Sequence, residues 1–247
     1  MGRLTEAIKH LLIVNILFFV ATQLYGDQMY QWFSLWFPKN ENFGLWQIAS
    51  HMFMHGGLMH IVFNMYALWA FGSPLEQMWG RNKFLFFYFS AGLGAALIHT
   101  GVNYYYFSEG LQALADGGIS NETVMDIIAQ GKYSPDWYNI AGKSTIDNFL
   151  SAYNTPAVGA SGAIYGILVA FGMSFPNSEL FLLFLPVPIK AKYFIPVLIG
   201  LDLFSGVTGY SIFGQGIAHF AHVGGALFGF LMMWYWKKNQ FNNNRWD

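Results

Sequence analysis

The sequence predicts an all-α, polytopic membrane protein: a bundle of six transmembrane helices with the N- and C-termini both cytoplasmic. Three observations lead there. Of the 247 residues only 10% are charged and 55% are hydrophobic, whereas about a quarter of residues are charged in ordinary globular chains. The apolar residues gather in six runs, 9–25, 51–71, 84–105, 156–174, 193–207 and 217–236, each near the ~20 residues that cross a bilayer as a helix. The basic residues are also unevenly shared between the connecting segments. With the N-terminus inside, the inner segments hold nine (Arg3, Lys9, Arg81, Lys83, Lys190, Lys192, Lys237, Lys238, Arg245) and the outer segments three (Lys39, Lys132, Lys143), which is a positive-inside bias.

The first run could be taken for a signal peptide, but no small-x-small cleavage site precedes the polar Gly26-Asp27, so it reads as a span. It leads into an outer loop, 26–50, in which Trp32, Phe33, Leu35, Trp36 and Phe37 suit the lipid headgroup level. The fifth run is the shortest and contains Pro196. Between runs three and four the stretch 107–155 is too polar for lipid and too long for a tight connection, so it reads as an extramembrane insertion within a single membrane domain covering 1–247. In it, Thr123 followed by Asp126 can form a capping box, and Val124, Ile127 and Ile128 share one face of a short helix. That face predicts an amphipathic helix on the membrane surface in preference to a substrate-contacting element. Asn121-Glu122-Thr123 matches a glycosylation acceptor, a pattern frequent by chance.

Composition excludes several function classes. The chain has no cysteine, which removes disulfides, thiolate metal sites and a cysteine nucleophile. A net charge of -1 without a basic tract gives nucleic acid nothing to bind. No internal repeat of the kind transporters use is visible.

The polar residues inside the apolar runs carry the chemistry. A hydroxyl or imidazole is costly in lipid unless partnered, so each is a candidate functional group. Ser161, in Gly159-Ala160-Ser161-Gly162, opens the fourth run, and His222, in Ala221-His222-Val223-Gly224-Gly225, lies near the start of the sixth. His60 and Asn64 are four apart in the second run and share a helix face. Runs two, four and six all pass from outside to inside, so these residues meet at one outer-leaflet depth. A serine needs an adjacent base to act as a nucleophile, which His222 supplies. A tetrahedral oxyanion needs fixed donors, for which Asn64, His60 and the Ser161 amide are candidates. Tyr165, one turn after Ser161, can brace the imidazole. No acid is evidently placed to orient His222: Asp202, the one acid within an apolar run, is expected near the water-accessible end of the fifth. The pattern therefore predicts a Ser-His dyad.

Simpler readings accompany each element. Gly162-x3-Gly166 and Gly225-x3-Gly229 are also helix-packing patterns. His219 is expected to be satisfied by a backbone carbonyl. His51 and His55 resemble a metal pair, but no Glu follows His51 as in a zinc-protease motif, so they are expected to cap or line the second run.

Together these residues resemble the rhomboid family of intramembrane serine proteases. The likeness runs through His55, His60 and Asn64, Glu76 and Gly80, Gly159-Ala160-Ser161-Gly162 with Tyr165, Asp202-Leu203-Phe204, and Ala221-His222-Val223-Gly224-Gly225 with Gly229. It implies Ser161 as nucleophile, His222 as general base, an oxyanion site of His60, Asn64 and the Ser161 amide, and supporting roles for Tyr165, Gly159 and Gly162. It also implies transmembrane proteins as substrates, cut near the outer face beside a small residue, with no cofactor and no metal. The expected setting is the lipid bilayer of a bacterial inner membrane, with the site opening outward. Two features depart from the family: Trp46-Gln47 stands where Trp-Arg is common, and the 107–155 insertion is long. A noncatalytic rhomboid-like protein that binds transmembrane clients fits the same cleft, although both dyad residues are retained. A proton-conducting channel or transporter fits less well, for lack of repeats and of a second intramembrane acid.

Overall fold

The computed structural model describes residues 4–182, 185–210 and 218–239. Each of the six apolar runs falls on a helix: α1 (Glu6–Tyr25), α4 (Leu58–Trp79), α5 (Arg81–Asp116), α9 (Ser161–Ser174), α10 (Ala191–Thr208) and α11 (His219–Asn239). Residue 217, at the start of the sixth run, and Arg3 and Arg245 of the charge distribution lie outside the described residues. Three of the six, α1, α5 and α10, are long and apolar enough to cross a membrane by length and composition. Their flanks carry large apolar side chains in the open, among them Leu17, Leu24, Phe86, Leu97, Val197 and Phe204. Such surfaces are unfavourable in water and natural against hydrocarbon.

The centre of the bundle is α9. It is short, about 21 Å at 1.5 Å per residue, and is touched by α4, α5, α10 and α11. Nine of its fourteen residues are buried, the pattern of a helix apolar all round and enclosed by protein. Its closest neighbour is α11, and glycines set that closeness. A Cβ added at Gly229 would lie 2.6 Å from Gly166 Cα, and one at Gly225 would collide with the Gly162 carbonyl. The small-x3-small pattern thus does pack helices, and in doing so it sets Ser161 and His222 side by side.

Glu76, buried near the C-terminal end of α4, fastens α1. Its carboxylate accepts from the Ala7 amide at 2.7 Å, the Ile8 amide at 3.1 Å and the Thr5 hydroxyl. Two of the four amides that a helix start leaves unpaired are thereby satisfied by a negative charge at the positive end of the dipole.

Several boundaries differ from the sequence reading. The second span does not begin at His51. His51–Phe53 is a 3₁₀ turn, Gly56 and Gly57 interrupt the helix, and α4 starts at Leu58, since paired glycines have the least to gain from helical order. The fourth span is not helical over 156–160, where a bridge at Ala157 leads to a turn at Ala160, and becomes helical only from Ser161. The third does not end near residue 105: α5 continues to Asp116, 36 residues in all, about 54 Å and well beyond the ~30 Å of hydrocarbon. Between α9 and α10 an antiparallel hairpin, β1 (Glu179–Leu182) and β2 (Leu185–Lys190), joins an otherwise helical fold.

The 107–155 segment folds on itself. It comprises the end of α5 with α6 (Asn121–Ala129), α7 (Trp137–Ala141) and α8 (Lys143–Asn154). Phe107, Leu114, Val124, Ile128, Trp137, Ile146 and Phe149 form a second core there. The apolar face of α6 is spent on this core, not on a membrane surface. The cap of α6 is Ser120, whose hydroxyl accepts from the Thr123 amide at 3.2 Å, so the predicted Thr123–Asp126 box does not form.

Residues 26–50 hold α2 (Asp27–Phe33) and α3 (Gln47–Ser50). Trp32 is exposed as expected, but Leu35 and Phe37 are buried against protein, Phe37 within the second core. The loop is latched by Gln47, fully buried. Its side-chain amide donates to the carbonyls of Gln31 at 2.9 Å and Asn42 at 2.7 Å, and its oxygen accepts from the Trp36 amide at 3.3 Å. A neutral side chain thus ties the loop where the sequence departs from Trp-Arg.

Candidate active site

Ser161 is the first residue of α9, behind an Ala160 cap that offers no side-chain acceptor. The amides of this first turn have no partner within the helix. The approach to it is held from two sides. Leu35 and Ala157 exchange two backbone hydrogen bonds, each 2.9 Å, and the Gly159 amide donates to the His51 carbonyl at 2.9 Å. Gly159 has φ +122°, a conformation that an L side chain resists.

His222 lies in the first turn of α11. Its Nε2 is 2.8 Å from Ser161 Oγ, and its ring stacks on Tyr165, centroids 4.2 Å apart and planes 12° from parallel. The helices that the glycines press together therefore bring hydroxyl, imidazole and phenol into one column.

Asp202, from α10, completes the column. Its Oδ1 lies 3.2 Å from His222 Nδ1 and 2.5 Å from His219 Nδ1, and its Oδ2 accepts from the Tyr165 hydroxyl. Two sequence expectations are corrected here. An acid does face His222, and it is not at a water-accessible helix end: Asp202 is 1% exposed. His219 meets this carboxylate where a backbone carbonyl was expected. With its proton on Nδ1, toward Asp202, a neutral His222 ring would present the Nε2 lone pair to Ser161.

His60 reaches the same place from α4. A Cβ on Gly159 would lie 2.9 Å from His60 Nε2 and 3.5 Å from Ser161 Oγ. His60 Nδ1 accepts from the Gly56 amide at 3.3 Å, which leaves the proton on Nε2, the nitrogen facing the Ser161 side. Asn64 sits one turn further along α4, nearly buried, with Nδ2 donating to the His60 carbonyl at 2.8 Å; its second N–H is left over from that bond. Gly162 faces α5, where an added Cβ would lie 2.6 Å from Ala95 Cβ.

Beside Ser161 a small recess of about 20 Å³, room for about one water, is lined by His51, His99, Ala157, Gly159 and Ala218 among others. His51 Nδ1 is 2.8 Å from the Gln47 carbonyl, and His99 Nε2 is 3.1 Å from the Asn103 amide. Being in the turn before α4, His51 and His55 are not a helical pair. Among the described residues, no group of three or more His, Asp or Glu side chains has the arrangement to hold a metal ion.

The profile of the rhomboid domain matches residues 42–132 and 138–239, most of the chain. The chain belongs to the rhomboid family. This rhomboid is 29% identical over 184 residues to the presenilin-associated rhomboid-like protein, mitochondrial, of Bos taurus, a match covering 74% of the chain and 35% of that protein. It is 24% identical over 191 residues to rhomboid protein 1, mitochondrial, of Saccharomyces cerevisiae, covering 77% and 42%. A shorter match, 35% over 75 residues, joins it to rhomboid protease GlpG of Salmonella choleraesuis, covering 30% and 27%. The chain spans well under two thirds of the length of these relatives. Family membership and the three helices long and apolar enough to cross a membrane agree with a multi-pass membrane setting. The expected bacterial inner membrane is not supported by the two relatives matched over most of the chain, both of which carry mitochondrial names.

The sequence pattern pointed to Ser161, His222, Tyr165 and His60, and they converge. It missed Asp202 as the partner of the imidazole, His219 as a second partner of Asp202, His99 in the recess, and Gln47 in the loop. For Asp202 and His219 a signal existed, an acid and a histidine buried in apolar runs, but spacing along the chain does not say which helices touch.

Proposed function

We propose that this rhomboid is an intramembrane serine protease that hydrolyses peptide bonds in or near transmembrane segments of other membrane proteins. The observation that carries the reading is the 2.8 Å contact between Ser161 Oγ and His222 Nε2, with the ring backed by Tyr165. A hydroxyl and an unprotonated imidazole nitrogen at that distance are a nucleophile and its base.

In the reaction, Ser161 Oγ attacks the scissile carbonyl carbon while its proton passes to His222 Nε2. The oxyanion is met by the Ser161 amide, unpaired at the start of α9, and by the Nε2–H of His60. Asn64, with its remaining N–H, is the third donor. Loss of one such donor typically lowers turnover by ~10²–10³. The C–N bond then breaks as His222 returns the proton to the departing amine, leaving an acyl-serine that water hydrolyses by the same two steps. The recess beside Ser161 gives water a place next to the acyl group. Gly159 keeps the His60 ring close, and Gly162 keeps α9 close to α5.

The basic-residue distribution supports an N-inside orientation, with the Ser161 end of the bundle and the 107–155 segment on the outer side. Substrates would then be cut near the outer face, and 107–155 is an extramembrane cap on a single membrane domain.

The test is cleavage in proteoliposomes. Purified protein offered a panel of transmembrane substrates should release two fragments, and Ser161→Ala should release none. If wild-type protein binds substrates but cleaves none of them, the noncatalytic client-binding reading replaces this one.

A further inference from the structure

A two-residue dyad leaves unexplained why a carboxylate, 1% exposed, lies against the far side of its base. A buried carboxylate is costly unless its lone pairs are matched with donors. Here three donors converge on it from two other helices. His219 and His222 Nδ1 share Oδ1, at 2.5 and 3.2 Å, and the Tyr165 hydroxyl donates to Oδ2. Tyr165 thus both stacks on the imidazole and fixes the carboxylate that the imidazole faces.

We propose that Asp202 is the positioning residue of His222, held in register by Tyr165 and His219, so that the Ser-His pair works with an orienting carboxylate, the three groups contributed by α9, α11 and α10. The proposal rests on the protease reading above. Asp202 does not take the proton. As the Oγ–C bond forms, the Ser161 proton moves to His222 Nε2, and the positive charge that appears on the ring lies beside the Asp202 carboxylate. As the C–N bond breaks, the same proton leaves on the amine, and the ring returns to the neutral form with its hydrogen on Nδ1. At rest the shorter contact belongs to His219; a charged His222 tightens its own bond to Oδ1. If Asp202 only tied α10 to its neighbours, an isosteric amide would preserve the fold and the chemistry alike.

The experiment pairs a spectroscopic readout with kinetics. In ¹⁵N-histidine-labelled protein in micelles, the His222 resonance, assigned by its loss in His222→Gln, should report the Nδ1–H tautomer in wild type. In Asp202→Asn it should switch to Nε2–H. In proteoliposomes Asp202→Asn should lower kcat by ~10²–10⁴ with KM within about twofold. Asp202→Glu should recover part of the loss. Tyr165→Phe, which keeps the stack and removes the hydroxyl, should give a smaller loss of about tenfold. An Nε2–H tautomer in wild type, or folded Asp202→Asn with kcat within about threefold of wild type, overturns the proposal. Should Asp202→Asn fail to fold, the wild-type tautomer and the Tyr165→Phe rate decide. A wild type that cleaves nothing yet shows the Nδ1–H tautomer, lost in Asp202→Asn, refutes the protease reading alone.

Discussion

At the scale of single residues, Ser161 differs from an ordinary helical serine in what surrounds its hydroxyl. Serine in a helix commonly bonds back to a carbonyl of its own chain, whereas Ser161 Oγ lies 2.8 Å from an imidazole nitrogen. Asn64 is the residue with the most to prove, since its amide already donates to the His60 carbonyl. Asn64→Ala should lower turnover by ~10²–10³ while leaving thermal stability close to wild type, measured by cleavage rate beside a melting curve; an unchanged rate removes it from the oxyanion site. The Ser, His and Tyr were legible in the sequence because each is a polar side chain that lipid does not tolerate idle, and because the alternation of runs expected from the charge bias put them on one side. The bond to Asp202 was not, because it joins α10 to α11, and the rotation of one helix against another leaves no trace in spacing along the chain.

At the scale of elements, the geometry depends on how closely α9 and α11 approach. Gly225 faces the Gly162 carbonyl with no room for a methyl group, so Gly225→Ala must push the helices apart. Overpacking of this kind typically costs ~1–3 kcal/mol, and here it also separates Ser161 from His222. The expected outcome is a modest fall in melting temperature with a disproportionate fall in turnover; equal losses in both would mean the approach serves stability only. Glu76 offers a contrast at the other end of the bundle. Glu76→Gln keeps the shape but removes the charge that meets the Ala7 and Ile8 amides, so a loss of ~0.5–2 kcal/mol, the usual worth of a helix cap, should appear in a denaturation midpoint with kcat of the folded protein nearly unchanged. Hydrophobic runs located all six helices, yet not their starts. The second run contains a 3₁₀ turn and a glycine break, and the fourth a non-helical approach to Ser161, because apolar composition records burial and says nothing of backbone conformation.

At the scale of the whole molecule, residues 26–50 and 153–160 tie the second core to the approach to Ser161. Asn40 donates to the Tyr153 carbonyl at 2.9 Å, Leu35 pairs with Ala157, and Phe37 packs on Phe107 with centroids 4.8 Å apart. The 107–155 segment therefore braces the loop and the strand of chain leading to Ser161. Asn40→Ala should speed amide hydrogen exchange in 35–47 and 155–160 more than in α9 itself; uniform protection would mean the brace is redundant. From sequence this segment could be recognised as polar and long, but its purpose was hidden because its apolar residues pack on one another and reach the earlier loop through Phe37. Membrane class and the Ser-His pair were readable from composition and from polar residues set in apolar runs, whereas the carboxylate behind the pair and the brace above it needed three-dimensional contacts. The central claim, that Ser161 is a nucleophile activated by His222, is tested most directly by covalent labelling. Protein treated with a serine-reactive fluorophosphonate should gain one adduct on Ser161 by peptide mass spectrometry, greatly slowed in His222→Ala and absent in Ser161→Ala. Folded wild-type protein that stays unlabelled, or that labels at an unchanged rate in His222→Ala, would contradict it.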